Sequence, residues 1–201
     1  MQPTLLTVVS AQAGGRGLRA AERGAAVLFI AALTAAAAQV AVPLPFTPVP
    51  FTLQPMIVLI GGAALGARLG MTSQLLYLAA GIAGLPVFAA SPVLPQGIAR
   101  LIGPTGGYLL AYPAAALVSG YLAERGLDRR YATAVLAMIA GLAVIFTGGV
   151  AWIAYVVPPR PGLFRAIVLG LVPFVAADLL KVFLAAGVMP GLWWLSIRGK
   201  E

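Results

Sequence analysis

The sequence predicts an all-α membrane protein with six transmembrane helices and with both termini in the cytoplasm. Of its 201 residues, 61% are hydrophobic and only 9% are charged, and the mean hydropathy is +1.00. Because soluble domains carry about 25% charged residues, this chain is expected to bury its core against lipid as well as against itself. At about 20 residues per helical span, its length allows six spans with their loops.

The apolar segments and the breaks between them give the order of the spans. They are expected over about residues 24–42, 53–66, 69–84, 107–122, 131–156 and 174–194. The last span is placed by counting back from Trp193 and Trp194, which are typical of a membrane interface. Residues 166–172 then form a short helical shoulder at the outer surface. The four prolines of residues 43–52 predict a stiff, extended loop, because proline cannot continue a helix.

The basic residues give the orientation of these spans. With the N-terminus inside, nine of the thirteen basic residues lie at inner span ends, whereas three, Arg100, Arg160 and Arg165, lie outside. This distribution follows the positive-inside rule. It predicts a multi-pass protein of the inner, cytoplasmic membrane, with loops 43–52 and 85–106 facing outward. Residues 1–23 are interpreted as a cytoplasmic N-terminal tail, because their arginines come too late for a cleavable signal. Residues 24–201 form the six-helix transmembrane domain.

The residue types present exclude several function classes. The chain has no Cys and no His, which removes thiolate nucleophiles, disulfides and the commonest general base and metal ligand. No catalytic residue, metal site or cofactor is therefore expected, and no phosphate-binding glycine-lysine motif occurs. The net charge of +8 does not indicate nucleic acid, because the basic residues mark span ends. Uphill transport would need a nucleotide-hydrolysing partner or an ion gradient.

A charged pair lies inside one of the most apolar stretches of the chain. Asp178 and Lys181 are three residues apart, so a helix places both on one face. Charged groups at membrane depth are costly, and they usually face a bundle interior or a water-filled cavity. One acceptor and one donor side by side could clamp a polar ring that carries both. They could equally neutralise each other and pack the bundle, and the residues alone leave both interpretations open.

Two further patterns could bind a partner. The glycine-rich turn at 103–107 follows Arg100, and its free N–H groups, with Thr105 as a possible helix cap, could bind a carboxylate. An ordinary turn with an interfacial arginine explains the same residues. In the first span, alanines repeat every four residues, which indicates either close internal packing or a docking face for another membrane subunit; the two stripes are Ala31 with Ala35 and Ala32 with Ala36.

Four strings in order along the chain resemble one known family. They are PLPFTPVPFTLQ at 43–54, YL at 77–78 with GLPVFA at 84–89, GPTGGYL at 103–109, and PF at 173–174 with DLLK at 178–181. Together they resemble BioY, the biotin-specific substrate-binding component of energy-coupling factor (ECF) transporters. The resemblance runs from about residue 31 to residue 184.

The resemblance implies six helices around an outward-facing biotin site that is covered by the first outer loop. It implies that Asp178 and Lys181 hold the ureido ring, whose two N–H donors suit the carboxylate and whose carbonyl suits the ammonium. Apolar and aromatic walls would take the rest of the vitamin, and the valerate carboxylate would lie at Arg100 and the 103–107 turn. The further candidates are Tyr77, Phe88 and Tyr108 for the walls, Thr105 and Gly106 for the turn, and Ser91 and Gln96 as polar residues after the PVF string.

The resemblance also implies protein partners. The family docks on a transmembrane coupling subunit through small residues of its first helix, which Ala31/Ala35 or Ala32/Ala36 match, and two cytoplasmic ATPases supply energy. Some members act without this module, so it can be dispensable. A substrate-binding component for another vitamin would share the architecture. An intramembrane enzyme or a small channel is the competing class, against which the missing His and the scarcity of acids argue.

Overall fold

The computed structural model describes residues 2–10, 16–90 and 96–198, and most of these are helical. The elements, in chain order, are α1 Leu5–Ser10, α2 Arg16–Gln39, β1 Ala41–Val42, β2 Phe51–Thr52, α3 Gln54–Leu65, α4 Ala67–Ile82, α5 Ala99–Ile102, α6 Gly106–Ala123, α7 Tyr131–Tyr155, α8 Leu163–Gly170 and α9 Val172–Arg198. Helices α3, α4, α6 and α7 begin and end within two residues of the expected spans.

Three of the described helices are long and apolar enough to cross a membrane, over Gly17–Gln39, Tyr131–Tyr155 and Val172–Trp194. Helix α3 is apolar but has only 12 residues. It continues almost directly into α4, because Gly66 takes a positive φ of 88° that makes a one-residue turn. The Glu124 carboxylate accepts a hydrogen bond from the Ala67 N–H at 2.9 Å and so caps the start of α4.

Helix α6 lies at the centre of the bundle, where it packs against α3, α4 and α7. Small residues allow this packing: a Cβ added to Gly62 of α3 would lie 2.4 Å from the carbonyl oxygen of Ala116 in α6, closer than real Cβ atoms come. Helix α9 packs against α7 and α3, and α2 packs against α3 and α4. The helix that carries the charged pair therefore lies across the bundle from α2.

The N-terminal segment differs from the expected tail. Helix α2 begins at Arg16 rather than near residue 24, because its first turns contain arginine, alanine and glutamate, which are good helix formers. Before it, α1 packs against α2, α3 and α9, and Leu5 is buried in the main core. The Gln2 N–H also donates to the Glu124 carbonyl at 2.7 Å. The described part of the tail therefore belongs to the packed structure.

Loop 43–52 is more ordered than the expected stiff coil. Its last two residues pair in an antiparallel hairpin with the two residues that precede it, with Ala41 opposite Thr52 and Val42 opposite Phe51. The Thr47 hydroxyl donates to the Leu169 carbonyl at 2.6 Å, which fastens the tip of the hairpin to α8. The shoulder expected over 166–172 is present as α8, slightly earlier in the chain. The hairpin and α8 together cover one end of the bundle.

Candidate functional site

A cavity lies beneath the hairpin, between α5, α6, α7 and α9. Its enclosed part has room for about 60 Å³ of water-sized spheres, and the whole recess with its open mouth has about 640 Å³. Its walls are mostly apolar and aromatic, with Phe51, Phe88, Phe146 and Phe174 among them. A few polar groups converge on this space, as they do in sites that orient a small ligand.

The charged pair predicted from the sequence lies in this cavity. The Lys181 Nζ atom is 2.6 Å from Asp178 Oδ1, and only 8% and 7% of the two side chains are exposed. Helix α9 aligns the two groups because they are one turn apart. The second carboxylate oxygen, Asp178 Oδ2, makes no hydrogen bond to the described part of the chain. The pair therefore keeps hydrogen-bonding capacity on the carboxylate side.

The hairpin makes the second contact to this pair. Lys181 Nζ donates to the Thr52 carbonyl at 2.5 Å, and it lies 3.5 Å from the centroid of the Phe51 ring. The ammonium is thus held by a carboxylate, a carbonyl and an aromatic face, all of which favour a cation. Since an ammonium has three N–H donors, one remains after these two hydrogen bonds.

A second polar group in the wall, Gln54, stands at the start of α3. Its Nε2 donates to the Tyr77 hydroxyl at 2.6 Å, and its Oε1 accepts from the Thr52 hydroxyl at 3.3 Å. These two bonds fix the direction of the amide at the cavity wall. The hydroxyl of Tyr112, another lining residue, makes no hydrogen bond within the described residues. Both residues can therefore offer polar atoms to a bound molecule.

Arg100 also lines the cavity, from the short helix α5, and only 4% of its surface is exposed. Burial lowers the pKa of its guanidinium, but an arginine starts so far above neutrality that it stays charged. Close to it, the Trp152 indole N–H donates to the Gly103 carbonyl at 3.1 Å and fixes the 103–107 turn against α7. A buried, positively charged group therefore faces the same space as the ion pair.

Six of the ten residues predicted for the site line the cavity: Asp178, Lys181, Arg100, Tyr108, Thr105 and Phe88. The Tyr108 hydroxyl donates to the Gly170 carbonyl at 2.6 Å, so it joins α6 to α8 while its ring faces the cavity. The suggestion that Thr105 caps α6 is wrong, because its side chain makes no capping hydrogen bond and its backbone is already helical. The hydroxyl is therefore left beside the cavity.

Three of the other candidates do not line the cavity. Tyr77 lies behind the wall, where it contacts Gln54 and packs edge-on against Phe88 with 5.5 Å between ring centroids. The Gln96 Nε2 group donates a hydrogen bond to the Phe88 carbonyl at 3.1 Å. Gly106 forms the first residue of α6, and its N–H bonds to the Gly103 carbonyl. Ser91 lies outside the described residues.

Sequence reasoning missed Gln54, Tyr112 and the aromatic Phe146 and Phe174 as wall residues. Two signals could have found some of them. Tyr112 is four residues after Tyr108 and so lies on the same face of a helix. Gln54 is an uncharged polar residue that directly follows the proline-rich loop at the start of an apolar segment. Phe146 carries no such signal, because aromatic residues in apolar spans usually pack the core.

The alanine stripes of α2 lie on different surfaces. Ala31 is buried with 8% exposure and Ala35 is half-buried, so this pair packs inside the bundle. Ala32 and Ala36 are exposed. Of the four alanines proposed for docking, only this second pair offers a surface that a partner can reach in this structure.

Comparison with known proteins identifies relatives over most of the chain. The family model described as the BioY family matches residues 9–198. A probable biotin transporter BioY of Pyrococcus horikoshii is 39% identical over 167 residues, which cover 82% of this chain and 91% of that protein. The biotin transporter BioY of Thermotoga maritima is 38% identical over 72% of this chain and 78% of its own length.

A solved structure shares the fold. The crystal structure of the S-component for biotin from an ECF-type ABC transporter superposes with a TM-score of 0.77, covering 89% of this chain and 94% of that one, at 23% identity. With the family match over residues 9–198, these findings show that the chain belongs to the BioY family.

Proposed function

We propose that this protein binds biotin with high affinity and takes it up across the cytoplasmic membrane, as the substrate-specific subunit of an ECF-type transporter. The observation that carries the proposal is the buried Asp178–Lys181 pair, which faces an aromatic-walled cavity under the hairpin and keeps a free carboxylate oxygen. The names of the relatives, biotin transporters, agree with this assignment. The protein is a transporter component and not an enzyme.

The ureido ring of biotin fits the chemistry of the pair. Its two N–H groups can donate to Asp178, and its carbonyl can accept from the remaining N–H of Lys181. Gln54 and the Tyr112 hydroxyl lie in the same wall and can complete the polar contacts. Two charges that only neutralise each other would not need to line a cavity, so the position of the Asp178–Lys181 pair favours ligand binding over packing alone.

The other parts of biotin fit the rest of the cavity. The sulfur-containing ring and the valeryl chain are apolar, as are the aromatic walls at Phe88 and Tyr108. The valerate carboxylate would pair with the buried guanidinium of Arg100, and Thr105 can donate to the same group. Gly106, Tyr77 and Gln96 would act by shaping the walls or the turn rather than by direct contact, and Ser91 stays a proposed polar contact.

The membrane arrangement follows the positive-inside rule. Six helices, α2, α3, α4, α6, α7 and α9, would span the bilayer with both termini in the cytoplasm, so that the hairpin and α5 face the outside. A transmembrane coupling subunit would dock on Ala32 and Ala36 of α2, and two partner ATPases would supply ATP-derived energy. The chain itself would hold no cofactor, and the module could be dispensable for some uptake.

Equilibrium binding tests the proposal. The purified protein is titrated with biotin, thiamine and riboflavin, and biotin alone is expected to bind tightly. Tight binding of another vitamin would favour the alternative, a substrate-binding component for that vitamin with the same fold. Weak binding of all three would refute vitamin binding and leave the channel or enzyme class.

A further inference from the structure

A buried polar joint connects α2 to α4, away from the cavity. Gln74 and Thr34 have no exposed surface, and Gln74 Nε2 donates to Thr34 Oγ1 at 3.2 Å and to Ser73 Oγ at 3.2 Å. The two hydroxyls donate in turn to backbone carbonyls of their own helices, at Ile30 and Gly70. No donor in the described chain reaches Gln74 Oε1, although that atom is buried.

This joint is a directional contact on a helix face that is otherwise apolar. Val27 and Ile30 are buried in the first half of α2, and the small Ala31, Ala37 and Ala38 are buried around Thr34. Small side chains let helices approach closely, but they hold a helix by van der Waals contact alone. A hydrogen bond fixes one register, so Gln74 and Thr34 set where α2 lies along α4. The Gln74 Oε1 atom has no donor in the described chain, so this register leaves one acceptor of the joint unsatisfied, which is costly for a buried group.

Helix α4 extends from this joint to the cavity wall. Tyr77 follows Gln74 by three residues and therefore lies on the same side of α4. Its hydroxyl holds Gln54 at 2.6 Å, and its ring packs against Phe88. Gln54 and Phe88 both line the cavity. A shift of α4 against α2 would thus move two groups of the cavity wall.

The opposite side of α2 carries the exposed docking face at Ala32 and Ala36. Thr34 lies between these two alanines in sequence, on the inward side of the helix. Any partner that presses on this face acts on the helix that Gln74 holds. The docking face and the cavity are therefore connected by α2, the polar joint, α4 and Tyr77.

We infer that the Gln74–Thr34 joint couples occupancy of the cavity to the position of α2, so that a filled cavity presents a different docking face from an empty one. The inference rests on the proposed function, since it describes how the biotin site communicates with the partner surface. Coupling between two sites is reciprocal. Biotin alone must therefore shift α2 in the isolated chain.

The absence of native cysteine makes the test direct. Spin labels are placed at Ala36→Cys on α2 and Thr147→Cys on α7, both at exposed positions. Pulsed electron paramagnetic resonance then gives the distance distribution with and without biotin. In the parent chain, biotin is expected to shift the distribution. In Gln74→Leu and Thr34→Val the shift is expected to be lost, although biotin still binds with an affinity close to that of the parent.

Two matched variants separate coupling from general damage. Thr34→Ser keeps the hydroxyl and should keep the shift. Thr72→Val removes the same type of hydroxyl-to-carbonyl bond from an exposed position of α4 and should also keep it. If biotin binds and the parent distribution does not move, or if Thr34→Val retains the full shift, the inference is wrong. A labelled parent chain that binds no biotin refutes the proposed function instead, and the titration reveals this before any distance is measured.

Discussion

Replacing Asp178 by Asn removes the charge from the cavity with almost no change in shape. In the folded protein, the carboxylate lies 2.6 Å from Lys181 Nζ and is only 5% exposed. Lys181 keeps the Thr52 carbonyl as a partner, so the variant does not leave an entirely unpaired buried charge. The principal loss for a ligand is the charged acceptor for the ureido N–H groups.

The size of that loss follows from the type of bond. A hydrogen bond to a charged group contributes about 1.5–3 kcal/mol, and each ~1.4 kcal/mol is tenfold in affinity. Asp178→Asn is therefore expected to weaken biotin binding by about ten- to 150-fold, measured by isothermal titration calorimetry. Asp128→Asn is the matched control, because Asp128 is the other buried aspartate and lies outside the cavity lining. If Asp178→Asn and Lys181→Met each keep full affinity in a folded protein, the pair is structural.

Other substitutions test separate parts of the site and the surface. Arg100→Ala should weaken biotin more than a biotin amide, because only biotin carries the carboxylate; equal losses in calorimetry would remove Arg100 from that role. Tyr77→Phe should weaken biotin by up to about tenfold, since the Gln54 amide loses its 2.6 Å partner; unchanged affinity would mean that Gln54 needs no support. Burial raises the pKa of Asp128 above its ordinary value of 3.8, so the folded state holds the carboxyl proton more tightly than the unfolded state does. The stability gained from the protonated carboxyl is present below pH 3.8 and is lost as pH rises through the raised pKa. Asp128→Asn should accordingly raise the melting temperature at neutral pH and reduce its acid-side pH dependence; a lower melting temperature would show that the Trp193 hydrogen bond outweighs the burial. Ala36→Leu should impair uptake in cells while leaving biotin binding unchanged, and normal uptake would place the docking surface elsewhere.

The helix boundaries could be predicted because apolar length and breakers encode them locally. Gly66 and the polar stretch at 124–130 stop helices where the sequence indicates. The start of α2 could not be predicted from hydropathy, because its first two turns are basic and only their helix propensity marks them. The hairpin was missed because prolines weaken strand signals. Its pairing depends on Thr52 and Ala41, eleven positions apart in sequence.

The charged members of the site were predictable because charge inside an apolar span is rare and costly. The uncharged members were less so. Gln54 could equally have been a helix-start residue, and only the fold brings it beside Tyr77, 23 residues later. The exposure of the alanine stripes depended on how α2 turns toward α3 and α4, and two stripes one residue apart differ by about 100° around a helix. Spacing alone could not distinguish them.

The ion pair is better explained by ligand binding than by stability. Two charges lose much of their hydration when buried, and a well-packed apolar pair of similar size is often as stable or more so. An ion pair that only packs the bundle would need no contacts beyond its own two groups. Lys181 nevertheless contacts the Thr52 carbonyl and the face of the Phe51 ring at the edge of the hairpin. These contacts hold the ammonium at the point where the covering loop meets the cavity. A ligand that bonds to the same ammonium would therefore join the hairpin to α9, and it would stabilise the loop that covers it.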